Sequence, residues 1–337
     1  MRCDFGLTQL ESGFILLAHA RRSPAAPSPP WRPPPLWPGA MFARLFSSRR
    51  GPSKAEQDFT LKRKYDLVFA IGERDWAAAC RALQNDRAKA RLKDADGYLP
   101  MHLALANRGS ERLLMLLIDA YPGALLERDP AGRLPFHIVC RDPTCLLSFV
   151  QFLLKAEPKV LGEKDPNGDL PLHMSIRHRC PAETTLLLLE SHPAAAAAKD
   201  KDGNLPLHLC LRFRGIGDLK QQHKVFFALV DANPDAVRAR NAKKDLPLHR
   251  AALFNLDLVI LKTLAERYPE SLFEPDSQGN LPIHLYFMQM RGGRPCDDLL
   301  HFFLEANPSS LGAKNKAKCT PLQVLEKFHE QIDKYTY

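Results

Sequence analysis

The sequence predicts an all-α solenoid of about seven stacked helical hairpins, joined by short β-turn fingers and preceded by a disordered N-terminal tail. The first observation is a Leu-Pro-x-His tetrad that occurs six times, with its prolines at Pro100, Pro135, Pro171, Pro206, Pro247 and Pro282. A seventh, altered copy reads Thr-Pro-Leu-Gln at residues 320–323, and successive prolines are 35, 36, 35, 41, 35 and 39 residues apart. Such a period is typical of repeat proteins whose units pack only on their neighbours.

The second observation is a turn signature before each tetrad. Residues 129–132 read Asp-Pro-Ala-Gly and residues 165–168 read Asp-Pro-Asn-Gly, which is the pattern of a type I turn. Similar turns end at Gly97, Gly203 and Gly279. Lys244 and Lys318 occupy the glycine position of the two remaining turns, so we expect those two turns to differ in conformation.

The third observation is a return segment of constant length between hairpins. A second proline ends each hairpin, at Pro122, Pro158, Pro193, Pro234, Pro269 and Pro308, and each lies 13 residues before the next tetrad proline. Proline costs no hydrogen bond at the first position of a helix, so each tetrad predicts a helix start. Because only the hairpins vary in length, we expect the return segment to make the contact between repeats. The insertions then fall near 215–220 and 291–296, on one edge of the stack.

These patterns predict the domain organisation. Residues 1–57 form a Pro-rich, basic tail, and residues 58–337 form the repeat domain. Within that domain, 58–93 is an N-terminal capping repeat, 94–319 holds six full repeats, and 320–337 is an amphipathic C-terminal cap.

The tail carries most of the charge. Residues 1–55 contain eight Lys or Arg against two acids, which is +6 of the chain's net +9. The high isoelectric point is therefore weak support for nucleic-acid binding by the repeats. Residues 32–38 fit the proline-rich pattern of SH3 ligands, although a spacer of biased composition is the simpler interpretation.

Two locations remain open. Residues 41–55 have the composition of a mitochondrial transit peptide, so a mitochondrial location follows if translation starts at Met41. Otherwise they are an ordinary basic tail and we expect a cytoplasmic protein. Eight scattered cysteines with no Cys-x-x-Cys pair favour a reducing compartment.

The order of turn, short helix, loop and longer helix, with a Pro-Leu-His start, resembles the ankyrin repeat over about residues 58–337. The usual motif is Thr-Pro-Leu-His, but leucine replaces the threonine in six of the seven copies. In ankyrin repeats that threonine hydroxyl helps to hold the motif histidine, so this hydrogen bond is expected to be missing here. The resemblance implies a non-enzymatic, monomeric scaffold that binds unknown protein partners through turn tips, the concave helix face and inserted loops.

The motif histidines are the most tempting chemical groups. They are His102, His137, His173, His208, His249 and His284. They recur once per repeat, at a step of about 10 Å, whereas ligand nitrogens lie about 2 Å from a shared metal. We therefore interpret them as groups that satisfy backbone atoms. No catalytic or phosphate-binding motif occurs, so we expect no enzyme activity, no metal and no cofactor.

The resemblance implies that the residue after each motif histidine points to the concave face. These residues are Leu103, Ile138, Met174, Leu209, Arg250 and Leu285. We predict that they form an exposed apolar stripe that binds a partner. The alternative is that the stack buries them.

A basic edge is the second candidate surface. Its arginines lie at the ends of the first helices or in the loops that follow: Arg141, Arg179, Arg212, Arg214, Arg291 and Arg294. They would bind an acidic peptide, or alternatively nucleic acid or an anionic membrane. The simpler interpretation is that cations near helix C-termini complement the helix dipole.

Overall fold

A computed structural model describes residues 66–144, 147–212, 219–254, 257–288 and 297–326. Over these residues the chain is a succession of helical hairpins without a β-strand. The predicted tail, the possible targeting segment and the outer ends of both terminal caps lie outside the described residues.

Each hairpin consists of a short first helix and a second helix that is usually longer. The first helices are α1 (Asp66–Gly72), α3 (Pro100–Ala106), α5 (Pro135–Val139), α7 (Pro171–Arg177), α9 (Pro206–Cys210), α11 (Pro247–Leu253) and α13 (Pro282–Met288). The second helices are α2 (Trp76–Asn85), α4 (Glu111–Ala120), α6 (Leu147–Ala156), α8 (Ala182–Ser191), α10 (Leu219–Ala232), α12 (Leu258–Arg267) and α14 (Asp297–Ala306). A last helical stretch spans 321–326. Each of the six Leu-Pro-x-His tetrads begins a first helix at its proline, as predicted.

The six second helices from α4 onward end next to their fixed proline, as predicted. The sequence reasoning missed that this proline also opens a 3-10 helix; an example is Pro122–Leu126, which begins two positions after α4 ends at Ala120. The intervening Tyr121 has φ −148° and ψ 82°. The ring of a proline excludes α conformation from the residue before it, so the second helix must stop there.

The core is one column that runs the length of the stack. First helices of successive repeats pack side by side, and second helices cover them from one side. The tetrads supply the centre of this core: Leu207 and His208 have no exposed surface, and Leu134 is 1% exposed. Each repeat thus completes its core only through its neighbours, as repeat proteins do.

All the described turns share one conformation, so the expected difference at the two lysines is wrong. Lys244 has φ 60° and Lys318 has φ 57°, in the left-handed region where the turn at Gly203 has φ 73°. Asn241 holds the first of these turns: its Oδ1 accepts the amides of Lys243 and Asp245 at 2.9 Å. These hydrogen bonds outweigh the left-handed cost of about 1–2 kcal/mol for a residue with a Cβ.

Candidate interaction surface

The motif histidines join each repeat to the following return segment by hydrogen bonds. In five of the six tetrads the ring Nδ1 accepts the backbone amide of the tetrad leucine; for His137 this distance to Leu134 is 3.0 Å. The ring Nε2 then carries the proton and donates to a carbonyl of the return segment, 2.9 Å away at Glu163 for His137. The backbone amide of the tetrad leucine therefore holds the histidine ring by a hydrogen bond, in place of the missing threonine hydroxyl.

Burial fixes the charge state of these histidines. It lowers the pKa of all six, to about 4 for His173 and His208. They are neutral near pH 7, and within the described residues five of them have both ring nitrogens occupied. His102 is the exception, because its buried Nδ1 lacks a hydrogen-bond partner.

The predicted apolar stripe is not exposed. Leu103, Met174, Leu209 and Leu285 are 7%, 3%, 1% and 5% exposed, and Ile138 is half-buried. The first helices have only five to seven residues and lie between neighbours on both sides, so these positions face the adjacent repeat. Leu103, Met174, Leu209 and Leu285 therefore belong to the stacking core, which was the alternative interpretation.

Arg250, the polar member of that series, is also largely enclosed. Its side chain is 14% exposed, and its Nη1 lies 3.6 Å from Asp245 Oδ2. The guanidinium lies over the Phe254 ring, 5.3 Å from the centroid. Burial lowers the pKa of Arg250, with Asp245 opposing that shift.

The predicted basic edge is only partly open. Burial lowers the pKa of Arg141, and it lowers that of Arg212 to about 10 with help from Arg250 and Arg177. Both side chains are half-buried, whereas Arg179 is exposed and has φ 59° just after α7. Arg214, Arg291 and Arg294 lie outside the described residues, so their contribution stays a prediction.

A row of turn tips is the third surface; the ankyrin resemblance implied contacts there, but the sequence reasoning named none of its residues. Backbone hydrogen bonds join consecutive tips: Lys201 N–H to Asn167 O, Ala242 N–H to Asp202 O, Ser277 N–H to Lys243 O, and Lys316 N–H to Gln278 O, all 2.9–3.1 Å. The tips therefore form a continuous and connected edge. Five lysines on it are exposed: Lys201, Lys243, Lys244, Lys316 and Lys318. Counting charge turn by turn in the sequence would have found them.

Comparison with known proteins rests on structure alone. No protein-family profile matches the chain, and no curated protein sequence matches it either. Among solved structures, the ankyrin repeat domain of Bcl-3, described as a unique member of the IκB protein family, superimposes with a TM-score of 0.50. The two are 22% identical, and the match covers 68% of this chain and 94% of that one. The fold is an ankyrin-repeat solenoid.

Within this ankyrin-repeat solenoid an internal network of arginines and aspartates follows the tetrads. Arg177 Nη2 donates to Asp169 Oδ1 at 2.8 Å and to Asp200 Oδ2 at 2.9 Å, linking two repeats. Burial raises the pKa of Asp169 to about 6, although Arg177 pulls it in the opposite direction. Because the Arg177 guanidinium bridges two buried carboxylates of adjacent repeats, its removal would leave Asp169 and Asp200 without their cation.

The described part of the ankyrin-repeat solenoid contains no group of three or more His, Cys, Asp or Glu positioned to bind a metal ion. None of its helices is long and apolar enough to cross a membrane. Burial raises the pKa of the Cys210 thiol to about 12, so this cysteine is not a nucleophile at neutral pH.

Proposed function

We propose that this protein is a non-enzymatic scaffold for protein–protein interaction. The observation that carries the proposal is that its polar groups fall into a buried set and an exposed set. Buried histidines, arginines and aspartates bond to the chain itself, whereas the turn tips form a connected and exposed edge. An edge held by backbone hydrogen bonds needs little ordering when a partner binds, which favours affinity. The ankyrin-repeat fold supports the same function.

The absence of enzyme activity is part of this proposal. Reactive groups need exposure and a suitable pKa. The motif histidines are buried, and burial drives their pKa down and that of Cys210 up. Among the described residues, the motif histidines and Cys210 are therefore held in structural roles.

Cross-linking with mass spectrometry tests the scaffold proposal. The full chain is used to capture proteins from a cytosolic lysate and treated with a lysine-reactive cross-linker. We expect a stoichiometric protein partner whose cross-links lie on the turn-tip lysines. Cross-links confined to residues 1–57, or captured material that is nucleic acid alone, would contradict the proposal.

The cytoplasmic location also remains a proposal. Mass spectrometry of the native N-terminal peptide tests it against the mitochondrial alternative. A peptide from residues 1–40 would exclude a start at Met41, and an N-terminus just after residue 55 would support import into mitochondria.

A further inference from the structure

Two of the turn tips differ in charge from all the others. Residues 94–97, 129–132, 165–168, 200–203 and 276–279 all open with Asp, carry glycine at the fourth position, and have net negative charge. The turns at 241–244 and 315–318 open with Asn and carry Lys at the fourth position. Each of these two turns has two lysines and no acid, a net charge of +2.

Turn geometry does not require these replacements. Asn315 accepts the amides of Lys318 and Cys319 through its backbone and side-chain oxygens, at 2.9 and 3.0 Å. Aspartate makes the same bonds elsewhere; Asp276 accepts the amides of Gly279 and Asn280 in this way. Lysine at positive φ is less stable than glycine there. The substitutions therefore change the charge of the tip, at a cost in backbone energy, and leave its shape unaltered.

The two lysine turns flank the turn at 276–279, whose tip residues Ser277 and Gln278 are uncharged. Lys243 O accepts from Ser277 N–H, and Gln278 O accepts from Lys316 N–H, both at 3.0 Å. Lys243, Lys244, Lys316 and Lys318 are exposed. Two basic clusters therefore stand two repeats apart, separated by the neutral side chains of Ser277 and Gln278.

The acids between the two clusters are already engaged. Asp276 accepts the amides of Gln278 and Asn280 at 2.7 and 2.8 Å. Glu274 accepts the Tyr268 hydroxyl at 2.5 Å and pairs with Arg240. Among the described residues, no ion pair includes Lys243, Lys244, Lys316 or Lys318, so these lysines are available to an external anion.

We propose that the lysine turns 241–244 and 315–318 form a docking site for an extended acidic peptide segment of a protein partner. The partner would carry two clusters of carboxylates. Repeats are stacked at about 10 Å per step, so the lysine clusters are roughly 20 Å apart. An extended chain rises about 3.3 Å per residue, so the acidic clusters are about six residues apart in the partner.

A peptide fits this surface better than a nucleic acid. Proteins that bind single-stranded nucleic acid use a continuous positive groove with aromatic side chains on which the bases stack. The turns at 241–244, 276–279 and 315–318 contain no aromatic residue, and exposed Asp202 lies on the preceding tip. A continuous polyanion would run over that acid, whereas a peptide with separate acidic clusters would not.

Fluorescence anisotropy with the full chain tests the proposal. The probe is a labelled peptide with two Glu-Glu pairs separated by about four Gly and Ser residues, which places the centres of the pairs about six residues apart. One comparison peptide has the same composition with the four glutamates contiguous, and the other probe is single-stranded DNA of similar length. We expect the spaced peptide to bind most tightly at low salt and to weaken as salt is added.

The variant K244G/K318G separates binding from folding. Glycine relieves the positive φ at both sites, so thermal unfolding should be unchanged or slightly higher, while peptide affinity falls about fivefold to tenfold. The matched control is K155Q/K262Q, which removes two exposed lysines from the second helices α6 and α12 and should bind as the parent does.

Three outcomes would overturn the docking site. The first is that the parent chain does not bind the spaced peptide. The second is that the parent and K244G/K318G bind this peptide with equal affinity. The third is that the parent binds the DNA more tightly than the peptide and that K244G/K318G weakens this DNA binding. Equal binding of the contiguous peptide would overturn the two-cluster spacing. The docking site depends on the scaffold function, but it can fail alone: a cross-linked partner mapped to other residues would retain the scaffold and exclude this site.

Discussion

At the scale of single residues, His208 shows how a motif histidine hydrogen-bonds both to its own tetrad and to the following return segment. Leu205 N–H donates to His208 Nδ1 at 3.2 Å, and His208 Nε2 lies 3.2 Å from Asp245 O in the return segment. The ring thus closes the start of its own helix and holds the next repeat. In the last tetrad Gln323 replaces the histidine, and its Oε1 still accepts the Thr320 amide at 3.0 Å. Glutamine therefore preserves the first of these two bonds.

The low pKa of these histidines makes stability depend on pH. His208 titrates at about 4 in the folded protein, against about 6.5 in an unfolded chain. The unfolded state therefore takes up protons first, and stability present above about pH 6.5 is lost as the pH falls toward 4. Asp169 acts in the opposite direction, because its folded pKa is raised to about 6. Burial also raises the pKa of Asp94, but the histidines with a lowered pKa outnumber these two aspartates, so we expect a net loss of stability in acid.

The variant H208Q should separate these effects. At pH 7.5 it should lose about 1 kcal/mol through the missing bond to Asp245. Near pH 5 it should instead be more stable than the parent by about 1 kcal/mol, because glutamine does not titrate while a neutral His208 costs the parent about 2 kcal/mol there. Urea unfolding at the two pH values measures this. H301Q, at an exposed histidine, is the matched control, and at pH 7.5 it should change the free energy of unfolding by less than about 0.5 kcal/mol. If the difference in the free energy of unfolding between H208Q and the parent is the same at both pH values, His208 is not held neutral by burial in the folded protein.

The lysines at positive φ give a second prediction for single residues. K244G should raise the free energy of unfolding by about 0.5 kcal/mol, because relief of the left-handed cost exceeds the added chain entropy. G203A should lower it by about 1–2 kcal/mol, since the Gly203 φ is 73° and a new Cβ would lie 2.9 Å from Ala242 N. Chemical denaturation measures both. A stabilising G203A would show that this turn does not need a left-handed residue.

At the scale of elements, the short first helices act as shared layers of the core. Each contacts the first helix of a neighbouring repeat, and in five of the seven hairpins it also packs closely on its own second helix. Because neighbouring helices cover most positions of the first helices, the residue after the motif histidine is buried and few positions remain free for a partner. The turn tips lie outside this packing, so they form the available edge.

The variant L209A tests the burial of the expected stripe. Leu209 is 1% exposed, so truncation should cost about 2–5 kcal/mol of stability. L322A is the matched control: Leu322 lies in the last described helical stretch, 321–326, and is 52% exposed, so its cost should stay below about 1 kcal/mol. Equal costs in thermal or urea unfolding would place Leu209 at the surface after all.

At the scale of the whole molecule, the described stack ends unevenly. Leu322 is 52% exposed although Leu207, its equivalent in an internal repeat, has no exposed surface. Leu311 is 39% exposed although its equivalent Leu272 is 7% exposed. A terminal unit has a neighbour on one side only, so a solenoid should unfold locally from such an end.

Hydrogen exchange followed by mass spectrometry or NMR tests this gradient. The Leu209 amide, bonded to Leu205 O, should exchange at least about 100-fold more slowly than the Val324 amide, bonded to Thr320 O. Similar protection of the two amides would show that the end is covered, as it would be if residues 327–337 form the predicted C-terminal cap.

The sequence alone determined the period, the helix starts and the ankyrin-type hairpin, because proline, glycine and aspartate act through local backbone sterics. The 13-residue return is readable for the same reason, since a constant contact requires a constant length. The tertiary structure decided which surfaces are free. Leu103 and Leu209 follow a helical pattern equally compatible with exposure and burial, and only the neighbouring repeats bury them. Lys244 and Lys318 look like broken turns in the sequence, yet side-chain hydrogen bonds keep both turns intact and leave their lysines exposed.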